Sequence, residues 1–184
     1  MTVMPREARE WTVEDLDQLP DDGLQYELLD GLLLVTPAPV PVHQRAIGNL
    51  YVLLREACPP GFEVLLAPLD WRPDPRTSLQ PDLLVVRNDD VGPTNITAPL
   101  SLAVEVLSPS TRRKDSVLKR SKYEECGVSA YWIVDPAEPA VLALDLVDGR
   151  YTTATRATGD GVARIERPFG VEVCPRELVS PPQL

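Results

Sequence analysis

The chain has 184 residues and a formal charge of −10, from 28 Asp and Glu against 18 Lys and Arg. That length builds one domain with a sizeable core, and 43% apolar with 25% charged residues is the composition of a soluble globular protein. No apolar run approaches the roughly 20 residues of a membrane span, and the acidic balance counts against a general nucleic-acid binder, though local basic patches decide binding.

The first residues, Met1-Thr2-Val3-Met4-Pro5-Arg6-Glu7, lack the basic-then-apolar pattern of a signal peptide. Cys58, Cys126 and Cys174 are odd in number, far apart, and form no Cys-x-x-Cys. Both features point to a reducing cytoplasm and away from a zinc site.

In chain order, Thr12 with Asp15 reads as a helix N-cap, followed by a small stripe of Val13, Leu16 and Leu19. A short helix is expected over 12–18, and residues 1–23 read as an N-terminal helical extension. Tyr26-Glu27-Leu28-Leu29 and Leu32-Leu33-Leu34-Val35 flank Asp30-Gly31, a strong hairpin signal. Glu27 therefore lies on a strand just before a tight turn. After a proline-rich loop, Ile47, Leu50, Tyr51 and Leu54 follow helical spacing, so a helix is expected over 42–57. His43, the one histidine, falls in its first turn, where capping or surface roles are commoner than ligation.

Strands are expected over 62–71, 82–87 and 102–107, with Arg72-Pro73-Asp74-Pro75-Arg76 as a turn. Ser108-Pro109-Ser110-Thr111 is a helix-start signature, and the helix is expected from Arg112 to Cys126, stopped by Gly127. Its spacing puts Asp115, Lys119 and Tyr123 close to one face, and Tyr123 reads as core. Residues 129–134 form a further strand, and Asp148-Gly149 centres a second hairpin over 141–155. Residues 162–166 and 170–173 add edge strands, and the proline-rich tail 175–184 is expected to be loosely held. A single domain with a mixed sheet flanked by helices follows, in an α/β or α+β arrangement.

Two apolar runs each carry one carboxylate: Asp82 enters Leu83-Leu84-Val85-Val86, and Glu105 interrupts Leu102-Ala103-Val104 and Val106-Leu107. A carboxylate in a buried strand costs several kcal/mol unless it is paired. Two of them on successive strands point to convergence on a hard divalent cation, or, less sharply, to strand-end acids that face solvent. Adding Glu27 and Lys119 completes a parts list for metal-assisted phosphodiester hydrolysis. Six of the 18 cations lie between Arg112 and Lys122; they read either as a solvated helix face or as a phosphate-facing surface. His43, Arg112, Arg113 and Lys122 are the candidate nucleic-acid contacts.

Pro81-Asp82 followed by Glu105-Val106-Leu107 resembles the PD-(D/E)XK nuclease superfamily. Within it, Tyr26-Glu27-Leu28-Leu29-Asp30-Gly31, Pro41-Val42-His43-Gln44, Leu79-Gln80-Pro81-Asp82-Leu83, Val104-Glu105-Val106-Leu107-Ser108-Pro109-Ser110, Asp115-Ser116-Val117-Leu118-Lys119 and Gly127-Val128-Ser129-Ala130-Tyr131-Trp132-Ile133-Val134-Asp135-Pro136 resemble the bacterial Uma-two family, described as restriction endonucleases. The resemblance spans residues 24–147. It implies a restriction-endonuclease-like core, Mg2+ or Mn2+ held by Asp82, Glu105 and Glu27, and DNA as substrate. It also implies catalytic roles for Glu27, Asp82, Glu105 and Lys119. The superfamily pattern places its lysine two residues after the glutamate, where this chain has Leu107; the resemblance implies that Lys119 of the next helix replaces it, with Lys122 as rival. The alternative is a nuclease-fold binding module that cleaves little, as a homodimer; the acidic balance and Leu107 favour it.

Overall fold

The computed structural model describes residues 2–3, 10–20, 22–36, 38–108 and 115–181. In chain order the elements are β1 (Thr2–Val3), α1 (Val13–Leu16), β2 (Gln25–Leu29), β3 (Leu32–Thr36), α2 (Pro41–Ala57), β4 (Phe62–Leu66), β5 (Trp71–Asp74), β6 (Thr77–Leu79), β7 (Leu83–Arg87), β8 (Leu102–Val106), α3 (Asp115–Glu125), β9 (Ala130–Asp135), β10 (Ala140–Val147), β11 (Arg150–Thr158), β12 (Ala163–Ile165), β13 (Val171–Val173) and α4 (Pro175–Val179). None of the described helices is long and apolar enough to cross a membrane.

Local chemistry sets the boundaries. Thr12 and Asp15 form a reciprocal capping box at α1. Asp30 and Gly31 both adopt positive φ (49° and 83°), as do Asp148 and Gly149 (49° and 75°). A two-residue hairpin with positive φ at both positions matches the right-handed strand twist, so these turns fix the β2–β3 and β10–β11 registers. Pro41 opens α2 at the position where its missing N–H costs nothing.

The main sheet has six strands in the order β11-β10-β9-β8-β7-β4. All neighbours are antiparallel except β8 and β9, which are parallel. α3 makes the β8–β9 crossover. A second sheet runs β1-β3-β2-β6-β5, and β12 pairs with β13. On one face of the main sheet, Leu83, Val85, Leu102, Val104, Ala130 and Trp132 pack under Ala46, Ile47, Leu50 and Leu54 of α2. On the other, Leu84, Val86, Ala103 and Tyr131 meet Tyr123 of α3 and Leu29, Leu34, Trp71 and Leu79 of the second sheet. Burial on both faces explains why the central strands read as continuous apolar runs. The expected mixed sheet flanked by helices is present.

Three expectations are corrected. The segment before residue 23 is not helical throughout: α1 is one turn, and β1 pairs with β3. The run 62–71 does not form one strand. β4 ends at Leu66, and β5 begins at Trp71 and pairs with β6 across a turn. Its Arg72-Pro73 read as turn, yet β5 is the edge strand of its sheet, where a proline forfeits no ladder bond. The tail is not loose through 181: α4 buries Pro175 and Leu178 and packs on α2. Asn49 Nδ2 donates to the carbonyls of Glu177, Leu178 and Ser180 at 2.9–3.2 Å, and Arg45 donates to that of Val179. Side chains of α2 thus cap a helix some 130 residues away.

Candidate active site

Strand register brings the two acids together. Leu83 of β7 pairs with Val104 of β8, and Leu84 with Ala103. Continuing that antiparallel ladder by one residue sets Asp82 opposite Glu105, and directly opposed residues project to the same face. The Val106 N–H closes the junction by donating to Asp82 Oδ2 at 2.7 Å. This is the face that α3 and the second sheet cover.

Lys119 joins this pair to Glu27. Its Nζ donates to Glu27 Oε1 at 2.8 Å and lies 3.1 and 3.2 Å from the two oxygens of Glu105. Lys119 and Glu27 are only 6% and 4% exposed. The Gln80 N–H, at the end of β6, donates to the same Glu27 oxygen at 2.8 Å. Gln80 is itself fixed, through Nε2, to Asp70. Glu27 thus anchors the lysine from the second sheet. Such burial is tolerable only because the charges are paired and hydrogen-bonded.

Tyr123 lies one turn after Lys119 and donates from its hydroxyl to Glu105 Oε1 at 2.8 Å. Its ring is fully buried between Trp71 and Tyr131, with centroids 5.4 and 5.2 Å away. Sequence reasoning placed Tyr123 in the core and missed this second role. The available signal was its i+4 spacing from Lys119.

His43, in the first turn of α2, is buried rather than a surface cap, with Nε2 3.5 Å from Asp82 Oδ2. Its buried Nδ1 has no hydrogen-bond partner among the described residues.

Electrostatics follow from this crowding. Burial, helped by the negative charges of Asp82 and Glu27, pushes the Glu105 carboxyl up to about 7 against the opposing pull of Lys119 and the Tyr123 hydroxyl. Burial alone would lower Lys119, but Glu105 and Glu27 outweigh it and hold the ammonium well above its usual value. Burial also works to lower His43, yet the hydrogen bond and charge of Asp82 raise it overall. Three acids thus share the site with Lys119 and the His43 ring.

Among the described residues, no three His, Cys, Asp or Glu side chains are placed to hold a metal ion together. The ammonium of Lys119, not a vacancy, lies between Glu27 and Glu105. Glu27 therefore does not join Asp82 and Glu105 in the three-carboxylate cluster expected from the sequence.

The other candidates separate from this centre. Lys122 is buried and paired with Asp30, Asp74 and Glu125. Its ammonium is not offered to a phosphate, and Lys119 is the lysine that reaches the acids. Arg112, Arg113 and the helix-capping candidates Ser110 and Thr111 lie outside the described residues, as does the side chain of Asp115.

The site is thus two carboxylates at adjacent strand ends of a mixed sheet, joined by a lysine from the crossover helix. A solved chain from Anabaena variabilis, described as a "putative nuclease belonging to DUF820", superposes with a TM-score of 0.72 over 92% of this chain and 97% of its own, at 16% identity. At that identity the likeness concerns the fold. The chain belongs to the Uma2 family, described as "Putative restriction endonuclease", whose model matches residues 13–175. No curated protein matches it.

Proposed function

We propose that this protein hydrolyses phosphodiester bonds of DNA with a divalent cation, Mg2+ or Mn2+, bound at Asp82 and Glu105. The observation that carries the reading is the Lys119 ammonium joined to Glu105 and Glu27 beside Asp82, on a fold of the restriction-endonuclease family. The donor set, carboxylate oxygens, suits a hard cation. Two carboxylates suffice, because Mg2+ keeps several waters and takes the rest of its oxygens from substrate phosphate. When bound, the ion supplies charge neutralisation and a more acidic water.

The protein's own groups divide the remaining work. Asp82 and Glu105 are held side by side by the β7–β8 register, with Asp82 fixed by the Val106 N–H. Glu105 and Glu27 favour the charged form of Lys119, which suits it to donate rather than to act as a base. It is a donor for the negative charge that grows on the phosphate oxygens. Glu27 and Gln80 aim that donor, and Tyr123 fixes the rotamer of Glu105. His43 sets a polar ring against Asp82.

A second reading has one observation in its favour: two carboxylates already occupy Lys119, in a chain of charge −10. It is a nuclease-fold binding module, as a homodimer, that cleaves little. Incubating supercoiled plasmid and single-stranded DNA with the protein across a Mg2+ and Mn2+ titration separates the two. Cleavage that vanishes in Asp82→Ala and in EDTA supports hydrolysis. Cleavage that persists in Asp82→Ala, or none at any metal concentration, removes it.

A further inference from the structure

The sheet face that carries the acids does not end at Glu105. Glu105 pairs with Ile133 of β9, Ile133 with Leu142 of β10, and Leu142 with Arg156 of β11. With Asp82 at its start, this is one cross-strand row on one face. Tyr123 of α3 covers the neighbouring part of the face, against Tyr131 of β9, which in turn meets Tyr151 of β11; the ring centroids are 5.2 and 5.8 Å apart and the rings are tilted. Among the described residues, no element packs over the Ile133–Leu142–Arg156 row. Together with Leu107 at the end of β8 it floors a groove of about 500 Å3, which also meets Asp135, Glu138 and Arg176.

Two properties of the groove point to one occupant. Its floor is aliphatic and half-exposed, with Leu107, Ile133 and Leu142 neither buried nor solvated. Its far end is cationic. Arg156 is exposed and makes no hydrogen bond or ion pair among the described residues, while most described cations are paired. Among the described residues, the Arg176 side chain pairs only with Asp160, at 3.7 Å, in a pair whose side chains are 53% and 85% exposed. Pairs that open to water are worth little and are readily exchanged. The exposed carboxylate of Glu138 repels a phosphate from the middle of the groove while accepting from the exocyclic amines of bases.

We propose that this groove seats an unpaired stretch of the DNA strand next to the scissile phosphate, with its bases on the aliphatic floor and a phosphate on Arg156, assisted by Arg176. The assignment rests on the nuclease reading above and extends it to the substrate. Three strand spacings separate Glu105 from Arg156, roughly 14 Å. That equals about four stacked nucleotides at ~3.4 Å each. A strand cut at the acids therefore reaches the arginine with a phosphate a few nucleotides away. Single strands fit better than a duplex, because a paired base would present its edge and not its face to the floor.

The test measures binding without cleavage. A fluorescent single-stranded oligonucleotide is titrated by anisotropy in EDTA, at several salt concentrations, with the wild type, Arg156→Ala and Arg55→Ala. Arg55 is an exposed arginine on α2, across the sheet from the groove, and serves as the control. Arg156→Ala is expected to weaken binding roughly tenfold for any sequence and to lower the salt slope by about one phosphate contact. Arg55→Ala is expected to change neither. Arg156→Lys, which keeps the charge, is expected to restore most of the slope. Equal effects of Arg55→Ala and Arg156→Ala, or no effect of Arg156→Ala, overturn the groove while leaving the hydrolysis reading to its own cleavage assay. Wild-type protein that binds no DNA in EDTA overturns the groove as well; metal-dependent plasmid cleavage by that same protein would show that the nuclease reading survives it.

Discussion

The Lys119 ammonium lies 3.1 Å from Glu105 Oε1 and 2.8 Å from Glu27 Oε1, so one crossover helix ties the main sheet to the second sheet by a buried ion triad. Removing one member of such a triad strands charges largely shielded from water, and the loss is typically about 3–5 kcal/mol. Lys119→Met is therefore expected to lose about that much stability in urea denaturation. Glu27→Gln should return part of it in the double variant, because a stranded carboxylate is then removed. On folded protein, Lys119→Met is expected to lower DNA cleavage by about a hundredfold or more, the usual consequence of deleting a charge-stabilising donor. Stability that falls by under 1 kcal/mol, or cleavage unchanged per folded molecule, would detach Lys119 from both roles.

Lys122 offers a control three residues away. It is as buried as Lys119, but its partners are Asp30 of the β2–β3 turn and Asp74 of β5. Lys122→Met is expected to cost no more than about 1 kcal/mol, because Asp30 and Asp74 are open enough to be solvated without it. Cleavage per folded molecule should match the wild type. A loss of activity as deep as that of Lys119→Met would mean that the helix, not one ammonium, is what the site requires.

Glu105 supplies a pH signature. Its carboxyl is raised from an ordinary 4.5 to about 7, first by burial. Folded protein thus keeps a proton that unfolded chain has lost between those values. The contribution is fully favourable below 4.5 and is lost as pH rises through 7. In EDTA, stability of the wild type relative to Glu105→Gln is expected to fall by on the order of 2–3 kcal/mol across that window. Urea midpoints at pH 5, 6, 7 and 8 measure it. A difference that stays flat, or rises with pH, contradicts the assigned direction.

How much of this was readable beforehand depends on whether the responsible chemistry is written in residue type. Asp30-Gly31 and Asp148-Gly149 announced their hairpins because few residues tolerate positive φ. Asp82 and Glu105 stood out because a charge in a buried strand needs a reason. Lys119 was separable from Lys122 only weakly by spacing, since a helix turn puts both within reach of the sheet. The Gln80 and Val106 N–H groups that hold Glu27 and Asp82 were invisible, because every residue but proline carries the same donor. α4 was missed for a related reason: the groups that satisfy its carbonyls belong to Asn49 and Arg45.

Metal binding has a readout that does not require turnover. An ion that binds only the folded state stabilises it by about 2.7 kcal/mol at a hundredfold excess over its dissociation constant. Mn2+ is expected to raise the melting temperature of the wild type. Asp82→Asn should abolish the rise, since an amide can still accept from the Val106 N–H but brings no charge to the ion. If the variant gains as much stability from Mn2+ as the wild type, the ion binds elsewhere and Asp82 is not its ligand.

Tyr123 joins the core to the chemistry, and its hydroxyl can be removed without opening a cavity. Tyr123→Phe keeps the ring between Trp71 and Tyr131 but deletes the 2.8 Å hydrogen bond to Glu105 Oε1. The expected stability cost is about 1–2 kcal/mol, because the acceptor is a carboxylate largely shielded from water. A purely structural tyrosine would show that and nothing more. A positioning tyrosine also moves Glu105: its bond to the hydroxyl lowers the carboxyl's affinity for protons, so deleting the bond should shift the metal-free pH transition upward. Cleavage should fall through kcat, with KM for DNA unchanged, because Tyr123 touches Glu105 and not the strand. If Tyr123→Phe keeps the wild-type pH transition and kcat, the hydroxyl is only filling its own hydrogen-bonding need, and Glu105 is held by Lys119 alone.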